Sequence, residues 1–452
     1  MYHTHLAVYQ DTIVAISTPI GEGGIGIVRL SGKDARPIAQ RLFPRQLADR
    51  HLVYGHVIDP EDGAVIDEVL VAFMEAPHTY TREDVVEINC HGGPLPLQRI
   101  LGLALRCGAR LANPGEFTLR AFLNGRIDLA QAESVLDVIQ ARTEASLRLA
   151  VEGLRGRLSQ AIREVRTSLM DVLAYLSARI DFPDDEVEEQ DIAAPLAKAE
   201  LALRDLVSNA DAGIVYRHGV RTAIVGRPNV GKSSLLNRLL RQSRAIVTPV
   251  PGTTRDTLEE VVNLKGVPFL LIDTAGITES KDVVESLAVE RSKRAIEQAD
   301  FVLFVVDASE PLTQSDRQLM DLLAGKSVLA VANKCDLPRR AESDGFPWPQ
   351  VSTSALTGDG LAALENEMVD SVLGGAVVTS DALLVTNPRH KEALKRAARS
   401  VALARRASEE GLPDDFVTVD LTAAVNYLGE ITGEAVTDEL LETIFSRFCI
   451  GK

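Results

Sequence analysis

The chain has 452 residues, of which 46% are apolar and 25% are charged, and its formal net charge is −16 at pH 7. This length and apolar content allow two to four domains, each with its own core, and exclude a disordered or fibrous protein. The acidic balance argues against a protein that coats nucleic acid nonspecifically, because Lys and Arg supply phosphate affinity. Any nucleic-acid partner must therefore meet a local basic patch.

Neither a membrane span nor a secretion signal is visible in the sequence. No window approaches the roughly 18 uninterrupted apolar residues of a span, and the first residues lack the basic and apolar regions of a signal peptide. The cysteines, Cys90, Cys107, Cys335 and Cys449, have no paired CxxC spacing, which favours reduced thiols. The sequence predicts a cytoplasmic protein with no membrane partner.

In the first half of the chain the pattern of apolar residues changes from strand-like to helix-like. Residues 1–118 alternate short apolar runs with Gly and Pro breaks, which is typical of a strand-rich α/β domain. From 119 to 216 apolar residues recur at three- and four-residue spacing, which predicts a helical bundle. The acidic stretch at 182–191 is expected to be an exposed connection between long helices.

In the second half of the chain the apolar pattern becomes strand-like again and then returns to helix. Residues 217–375 carry short, almost wholly apolar runs that suit parallel strands buried on both faces. Residues 376–452 return to helix, with candidates at 387–410, 421–431 and 434–448. So short a segment would struggle to build its own core, so we expect it to pack on the earlier helices. The fold class is then multidomain α/β plus all-α, with the third segment inserted into a split helical domain.

A phosphate-binding motif opens the third segment. Residues 226–233 fit GxxxxGK[ST] and lie between a predicted strand and a predicted helix, as the motif requires. The glycines let backbone N–H groups surround phosphate oxygens, Lys232 adds positive charge, and Ser233 offers a hydroxyl to Mg²⁺. The alternative, a Gly-rich turn without a ligand, is rare in this context.

Three further stretches stand in GTPase order. Asp273–Gly276 ends a buried strand and places an acidic group near the metal. Asn333–Asp336 supplies a carboxylate that accepts the guanine N–H groups in GTPases, and Ser354–Leu356 matches the loop that closes on the base. Cys335 is then a spectator. The predicted GTP-binding residues are Asn229, Val230, Gly231, Lys232, Ser233, Ser234, Thr248, Pro249, Val250, Pro251, Gly252, Thr253, Thr254, Asp273, Thr274, Ala275, Gly276, Asn333, Lys334, Asp336, Ser354, Ala355 and Leu356.

Water activation must differ from that in Ras-like enzymes. There the residue after the DTAG motif is a glutamine that orients the attacking water, whereas here it is Ile277. Acidic residues nearby are Glu279, Asp282 and Glu285. Ordinary solvated helix charge is the default interpretation for any one of them.

The chain resembles the MnmE (TrmE) family of tRNA-modifying GTPases over essentially its full length. The matching blocks are DTIVAISTPIGEGGIGIVRLSG, YTREDVVEINCHGG, PGEFTLRAFLNGRIDLAQAE, TPVPGTTRD and the terminal FCIGK. The resemblance implies that Glu285 acts catalytically through water and that Thr254 joins Ser233 on Mg²⁺. It also implies a K⁺ ion that supplies the charge of an arginine finger, bound through Asn229, Thr248, Val250 and Thr253.

The N-terminal segment contains a misleading motif. Residues 21–26 satisfy GxGxxG, but a dinucleotide fingerprint must open a helix, and the following IGIVRLSG is β-branched and short. We expect a glycine-rich hairpin instead. The resemblance implies a folate-binding and dimerisation domain, using 5-formyl- or methylene-tetrahydrofolate, with contacts at Arg29, Glu87, Arg126 and Lys452; family members often have Lys in place of Arg126.

Two other features each allow a purely structural interpretation and a functional one. His91 lacks a second pair of metal ligands, so a structural histidine at a strand end is favoured. A basic cluster crowds one predicted helix, where a solvated face is the default and a tRNA backbone contact is the alternative. The cluster consists of Arg389, Lys391, Lys395, Arg396, Arg399, Arg405 and Arg406.

The terminal SRFCIGK raises three possibilities for Cys449. Gly451 and Lys452 fail the pattern of a prenylation box, and a frayed tail is the ordinary expectation for a chain end. If the last helix packs against the folate-like domain, Cys449 lies beside the one-carbon carrier. The family pattern supports the third possibility, a catalytic thiol.

The resemblance to this family implies a GTPase that modifies the wobble uridine of certain tRNAs with an aminomethyl or carboxymethylaminomethyl group. It would be a homodimer, stimulated by K⁺ and activated by pairing of nucleotide domains, and would form a heterotetramer with an FAD-dependent MnmG-like protein. The main alternative is an Era-like or Der-like ribosome-assembly GTPase, which shares the nucleotide motifs. A membrane-anchored switch, with lipid on Cys449, is a second alternative.

Overall fold

The computed structural model describes residues 11–182, 188–243, 260–272, 293–338, 346–374 and 385–452. These residues divide into two compact units. One holds the residues up to Leu136 together with Gly429–Lys452, and the other holds the residues from Asp137 to Leu428. Within the described ranges, no helix is long and apolar enough to cross a bilayer.

The described strands form two six-stranded sheets, ordered β3-β4-β5-β2-β1-β6 and β12-β11-β10-β7-β9-β8. The strands are β1 Ile13–Ile16, β2 Gly26–Ser31, β3 Leu52–Ile58, β4 Val65–Met74, β5 Val85–Cys90, β6 Arg110–Leu111, β7 Val220–Val225, β8 Glu260–Leu264, β9 Val267–Ile272, β10 Phe301–Asp307, β11 Val328–Asn333 and β12 Gln350–Ser352. The helices are α1 Ala35–Leu42, α2 Pro94–Arg106, α3 Glu116–Leu123, α4 Leu129–Gln140, α5 Glu144–Leu154, α6 Arg157–Asp181, α7 Ala193–Ser208, α8 Ala210–His218, α9 Lys232–Ser243, α10 Gln314–Leu322, α11 Leu361–Leu373, α12 Pro388–Glu409, α13 Asp414–Thr432 and α14 Asp438–Phe445.

The first sheet is antiparallel except where β1 meets β6. Side chains alternate between its faces. Val28 and Leu30 join the core formed with α1 and α2, so Arg29 lies on the opposite face, where Ile13, Ala15 and Phe117 pack together. This second face carries the candidate folate residues.

The glycine-rich stretch in this sheet is a hairpin, as predicted. β1 and β2 pair antiparallel, with Ile16 opposite Val28, and the Ser17 amide donates to the Ile27 carbonyl at 2.8 Å. The chain after Gly26 continues as a strand. The dinucleotide interpretation is therefore excluded, because the glycine motif leads into a strand and does not open a helix.

The second sheet confirms the predicted parallel strands. β9, β7, β10, β11 and β12 run parallel, and β8 pairs antiparallel at the edge. Side chains on its two faces enter separate cores. Both faces are covered, which explains why the sequence runs are almost continuously apolar.

The C-terminal helices match the predicted ones in existence but not in every boundary. α12 agrees within one residue at each end, whereas α13 begins at Asp414, seven residues before the predicted 421, because Pro413 and two first-turn aspartates favour a helix start there. α14 begins at Asp438, where the Thr437 hydroxyl accepts from the Leu440 amide. α12 packs on α7, and α14 on α3, as expected for a segment without its own core.

Candidate functional site

The phosphate loop lies at the carboxyl edge of the second sheet. β7 has β9 on one side and β10 on the other, and ligand crevices of open α/β sheets lie where the strand order diverges in this way. Residues 226–231 join β7 to α9. Gly226 has φ +153° and Gly231 has φ +101°, and a Cβ on Gly226 would lie 2.2 Å from the Val305 carbonyl oxygen. Only glycine allows this close path, which leaves the N-terminus of α9 open to an anion.

Lys232, the first residue of α9, is tied to its own loop. Its Nζ donates to the carbonyl oxygens of Gly226 at 2.7 Å and Arg227 at 2.9 Å. Burial lowers the pKa of Lys232. Asn229 has the left-handed φ of +65°, which asparagine tolerates better than most residues.

Asn333 joins three of the predicted motifs. Its Nδ2 donates to the Val230 carbonyl at 2.8 Å, and its Oδ1 accepts from the Ala355 amide at 3.0 Å. Asn333 is buried, so these bonds are shielded from water. They fix the phosphate loop relative to residues 354–356, the predicted base loop.

Lys334 and Asp336 flank this junction. The Lys334 ammonium lies 2.5 Å from the Asp307 carboxylate. Burial would raise the pKa of Asp307, but the hydrogen bonds from Lys334 and Ser309 outweigh it and hold the pKa below its usual value. The Ser354 hydroxyl donates to the Asp336 carboxylate at 2.5 Å, which places the predicted guanine acceptor beside the base loop.

Cys335 behaves as the predicted spectator. Its amide donates to the Thr353 carbonyl at 3.0 Å, and its side chain is exposed. Partial desolvation of the sulfur, with Asp359 and Asp336 nearby, raises the pKa of the Cys335 thiol. A raised pKa disfavours the reactive thiolate.

Several predicted site residues lie outside the described residues. They are Thr248, Pro249, Val250, Pro251, Gly252, Thr253, Thr254, Asp273, Thr274, Ala275, Gly276 and Glu285.

A second cluster forms around Arg29, on the face of the first sheet that carries Ile13, Ala15 and Phe117. Arg29 stands opposite both Ala15 and Glu87 in the strand register, and its Nε donates to the Glu87 carboxylate at 2.8 Å. The guanidinium also lies 5.8 Å from the Phe117 ring centroid. Both partners orient the Arg29 charge on this face.

The last residues of the chain are docked here and are not frayed. Ile450 forms a β-bridge with Pro114, and the Phe117 amide donates to the Lys452 carbonyl at 3.2 Å. The Gly451 carbonyl accepts from Arg29 Nη1 and from the Ser17 hydroxyl, each at 3.3 Å. The backbone around exposed Cys449 is thus brought to the Arg29 cluster.

Arg126 joins the cluster through Tyr80. The Arg126 guanidinium lies 4.7 Å from the Tyr80 ring centroid, and the Tyr80 hydroxyl is 3.0 Å from that of Thr118. Burial raises the pKa of Tyr80, although the charges of Arg126 and Arg29 oppose the shift. The sequence analysis did not predict Tyr80 and Phe117 as site residues. Their positions within two of the sequence blocks that match the family could have identified them.

A buried ion network supports this face and was not predicted. Arg120, 1% exposed, donates to Glu116 at 2.9 Å, to Asp11 at 2.6 Å and to Glu83 at 3.1 Å. Burial alone would lower the pKa of Arg120, but the negative charge of Glu83 and the carboxylate hydrogen bonds outweigh it and raise that pKa. The network ties α3 to the sheet beneath it.

His91 lies at a strand end and pairs with an acidic side chain. It follows β5, and its Nδ1 lies 2.7 Å from the Asp67 carboxylate. Among the described residues, no three His, Cys, Asp or Glu side chains form a group that could hold a metal ion.

Most of the basic cluster on α12 is engaged within the chain. The pairs are Lys391 with Asp211, Arg396 with the Tyr427 ring, Arg405 with Glu200 and Arg406 with Glu410. Lys395 and Arg399 are exposed. The charge available to an external polyanion is therefore smaller than the sequence suggested.

Comparison with known proteins places the chain in a family. The MnmE helical domain matches residues 129–449, and the N-terminus of GTP-binding protein TrmE matches residues 12–126. A protein of Chloroflexus aurantiacus named tRNA modification GTPase MnmE is 53% identical, with 98% of this chain and 100% of that protein covered. The chain belongs to the MnmE family.

Other full-length relatives agree with this assignment. An MnmE protein of a Roseiflexus species is 52% identical, with 98% of this chain and 100% of that protein covered, and one of Alkaliphilus oremlandii is 47% identical, with 98% and 99% covered. Among solved structures, the G domain of the T. maritima FeoB iron transporter is 26% identical, covers 34% of this chain and 98% of its own, and has a TM-score of 0.26. Membership in the MnmE family, with the phosphate loop and base loop described above, identifies the chain as a GTP-binding GTPase.

Proposed function

We propose that the chain modifies the wobble uridine of certain tRNAs, adding an aminomethyl or carboxymethylaminomethyl group, together with an FAD-dependent MnmG-like partner in a heterotetramer. The observation that carries this proposal is the coexistence of two chemically different sites. A nucleotide site lies at the edge of the second sheet, and a cationic and aromatic cluster that includes the chain terminus lies on the first. A ribosome-assembly GTPase has no evident use for the second site.

The nucleotide site suits Mg²⁺ and K⁺ as well as GTP. Ser233 is the second residue of α9, where its hydroxyl can ligate Mg²⁺ beside the phosphates, with Thr254 as the second protein hydroxyl. Asn229 offers a side-chain oxygen from the phosphate loop, as K⁺ requires, and Thr248, Val250 and Thr253 would complete that site. A bound K⁺ would supply fixed positive charge to the phosphates.

Glu285 is proposed to act through water on the terminal phosphate, since the residue after the DTAG motif is Ile277. Pairing of two nucleotide domains would activate hydrolysis. Glu285→Ala should retain nucleotide binding and abolish turnover of GTP; unchanged turnover would remove Glu285 from the mechanism.

The Arg29 cluster suits tetrahydrofolate. Arg29, Arg126 and Lys452 offer positive charge to the glutamate carboxylates, whereas Glu87, fixed by Arg29, offers a carboxylate to pterin N–H groups. The Phe117 and Tyr80 rings provide flat apolar surface for the pterin. Exposed Cys449 would be the thiol beside the one-carbon unit.

The proposed organisation is a homodimer in the cytoplasm built from four segments. Residues 1–118 would bind folate and dimerise, 217–375 would form the nucleotide domain, and 119–216 with 376–452 would form a split helical domain. The packing of α12 on α7 supports the pairing of the two helical segments.

Mass spectrometry of tRNA nucleosides tests the function. A deletion strain should lack the modified wobble uridine, and expression of the chain should restore it, whereas Glu285→Ala and Cys449→Ser should not. Normal wobble modification in the deletion strain, with accumulating ribosomal precursors, would overturn the proposal in favour of ribosome assembly.

A further inference from the structure

Arg238 on α9 bridges the phosphate-binding helix and the base loop. Its Nε donates to the Ala355 carbonyl at 3.0 Å, and its Nη2 donates to the Leu356 carbonyl at 2.6 Å. The two acceptors are consecutive carbonyl oxygens, so the planar fork of a guanidinium spans them, whereas a lysine ammonium, a single point charge, lacks that fork.

The base loop is also closed by a turn of its own, in which the Gly358 amide donates to the Ser354 carbonyl at 2.8 Å and the Thr357 amide to the Ser354 hydroxyl at 3.1 Å. The Ser354 hydroxyl is bound to Asp336, and the Ala355 amide to Asn333. The Leu356 side chain, by contrast, is 77% exposed, so it adds little packing energy. The Arg238 fork therefore adds an anchor from α9 to the two carbonyls in the middle of this turn.

The same helix begins at the phosphate loop. Lys232 opens α9, and Arg238 lies on it six residues later. A continuous helix is a rigid connection over this distance. The position of the base loop is thus tied to the element that binds the phosphates.

We propose that Arg238 is a positioning residue for guanine recognition, which holds the base loop at a fixed distance from the phosphate loop. The inference rests on the proposed assignment of Ser354–Leu356 as the base loop. Arg238 touches backbone of that loop and no reacting atom, so its removal should weaken binding of guanine nucleotides and spare the chemical step.

The test compares Arg238→Met with Arg241→Met in the full chain. Methionine keeps an apolar stem and removes the donors, and exposed Arg241 lies on the same helix. We expect Arg238→Met to raise the Kd for a fluorescent GDP analogue about tenfold, as two lost hydrogen bonds predict. kcat at saturating GTP should stay within about twofold, and ADP binding, measured in the same way, should not change between the two variants.

Arg238→Lys provides a second variant should the methionine variant fold poorly, and it should fall between wild type and Arg238→Met in GDP affinity. An affinity within about twofold of Arg241→Met, or a loss confined to kcat, would overturn the inference. Asp336→Ala separates the two levels of the proposal. If it leaves GDP binding intact, the assignment of the base site fails; if it abolishes binding while Arg238→Met stays within about twofold of Arg241→Met, only the role of Arg238 fails.

Discussion

His91 and Asp67 form a pH-sensitive pair on the surface of the first sheet. The Asp67 hydrogen bond and charge raise the pKa of His91 above 6.5, its ordinary value. Because the folded-state pKa is the higher one, the stabilising contribution of the pair is fully present below pH 6.5 and is lost as the pH rises through the folded pKa. The His91 ring is 69% exposed, so the effect on global stability is small.

An NMR titration of the His91 ring checks this assignment. The wild-type midpoint should lie above 6.5, and Asp67→Asn should return it towards that value. Glu68→Gln is the matched control, because Glu68 contributes only a weaker, more distant charge. A midpoint that Asp67→Asn does not lower would contradict the pairing seen here.

The phosphate loop is an element whose backbone admits no side chain at Gly231. Its φ is +101°, and a Cβ would lie 2.2 Å from Asn333 Nδ2, the donor that holds the Val230 carbonyl. Gly231→Ala should therefore cost about 2 kcal/mol in stability and weaken GDP binding by about tenfold or more, because the loop amides are displaced.

Gly325→Ala is the control for this element. Gly325 also has a positive φ, +78°, but a Cβ there would meet no atom within 4 Å. We expect a stability loss of about 1 kcal/mol from the backbone conformation alone and unchanged GDP affinity. Thermal unfolding and fluorescent GDP titration separate the two effects; equal GDP affinities for both variants would refute the steric argument.

At the scale of the whole molecule, the two candidate sites should be separable. Removal of residues 449–452 deletes the bridge to Pro114 and the acceptor for Arg29. We expect tetrahydrofolate binding, measured by calorimetry, to be lost, with GDP affinity unchanged within about twofold. Retained folate binding would show that the chain terminus does not belong to that site.

A subtler variant keeps the tail and disturbs only its docking. Gly451 has φ +95°, and a Cβ would lie 2.4 Å from the Ile16 carbonyl oxygen. Gly451→Ala should therefore weaken folate binding in the same direction as the truncation. Its match is Cys449→Ser, which should leave folate binding intact and abolish tRNA modification.

Local sequence patterns were sufficient to predict a structural element when all of its characteristic residues lie in one continuous segment. The strand, glycine loop and helix around Lys232 follow one another along the chain, so their motif predicted both structure and chemistry. The parallel strands of the second sheet were likewise evident from continuous apolar runs. β3 carries no such run, because it is an edge strand with a mixed exposure pattern and a glycine, Gly55, that packs against the Phe43 ring.

The sequence alone predicts the motifs of this protein, its alternation of strand-rich and helical segments and, through the matching sequence blocks, its family. Only the tertiary structure decided which distant residues meet: Gly451 with Ser17, Arg120 with Asp11, and Arg238 with Leu356. The physical reason is that hydrogen bonds and ion pairs between remote segments leave no periodicity in the chain. They arise when burial of the cores brings those segments together, and in this protein they build both candidate sites.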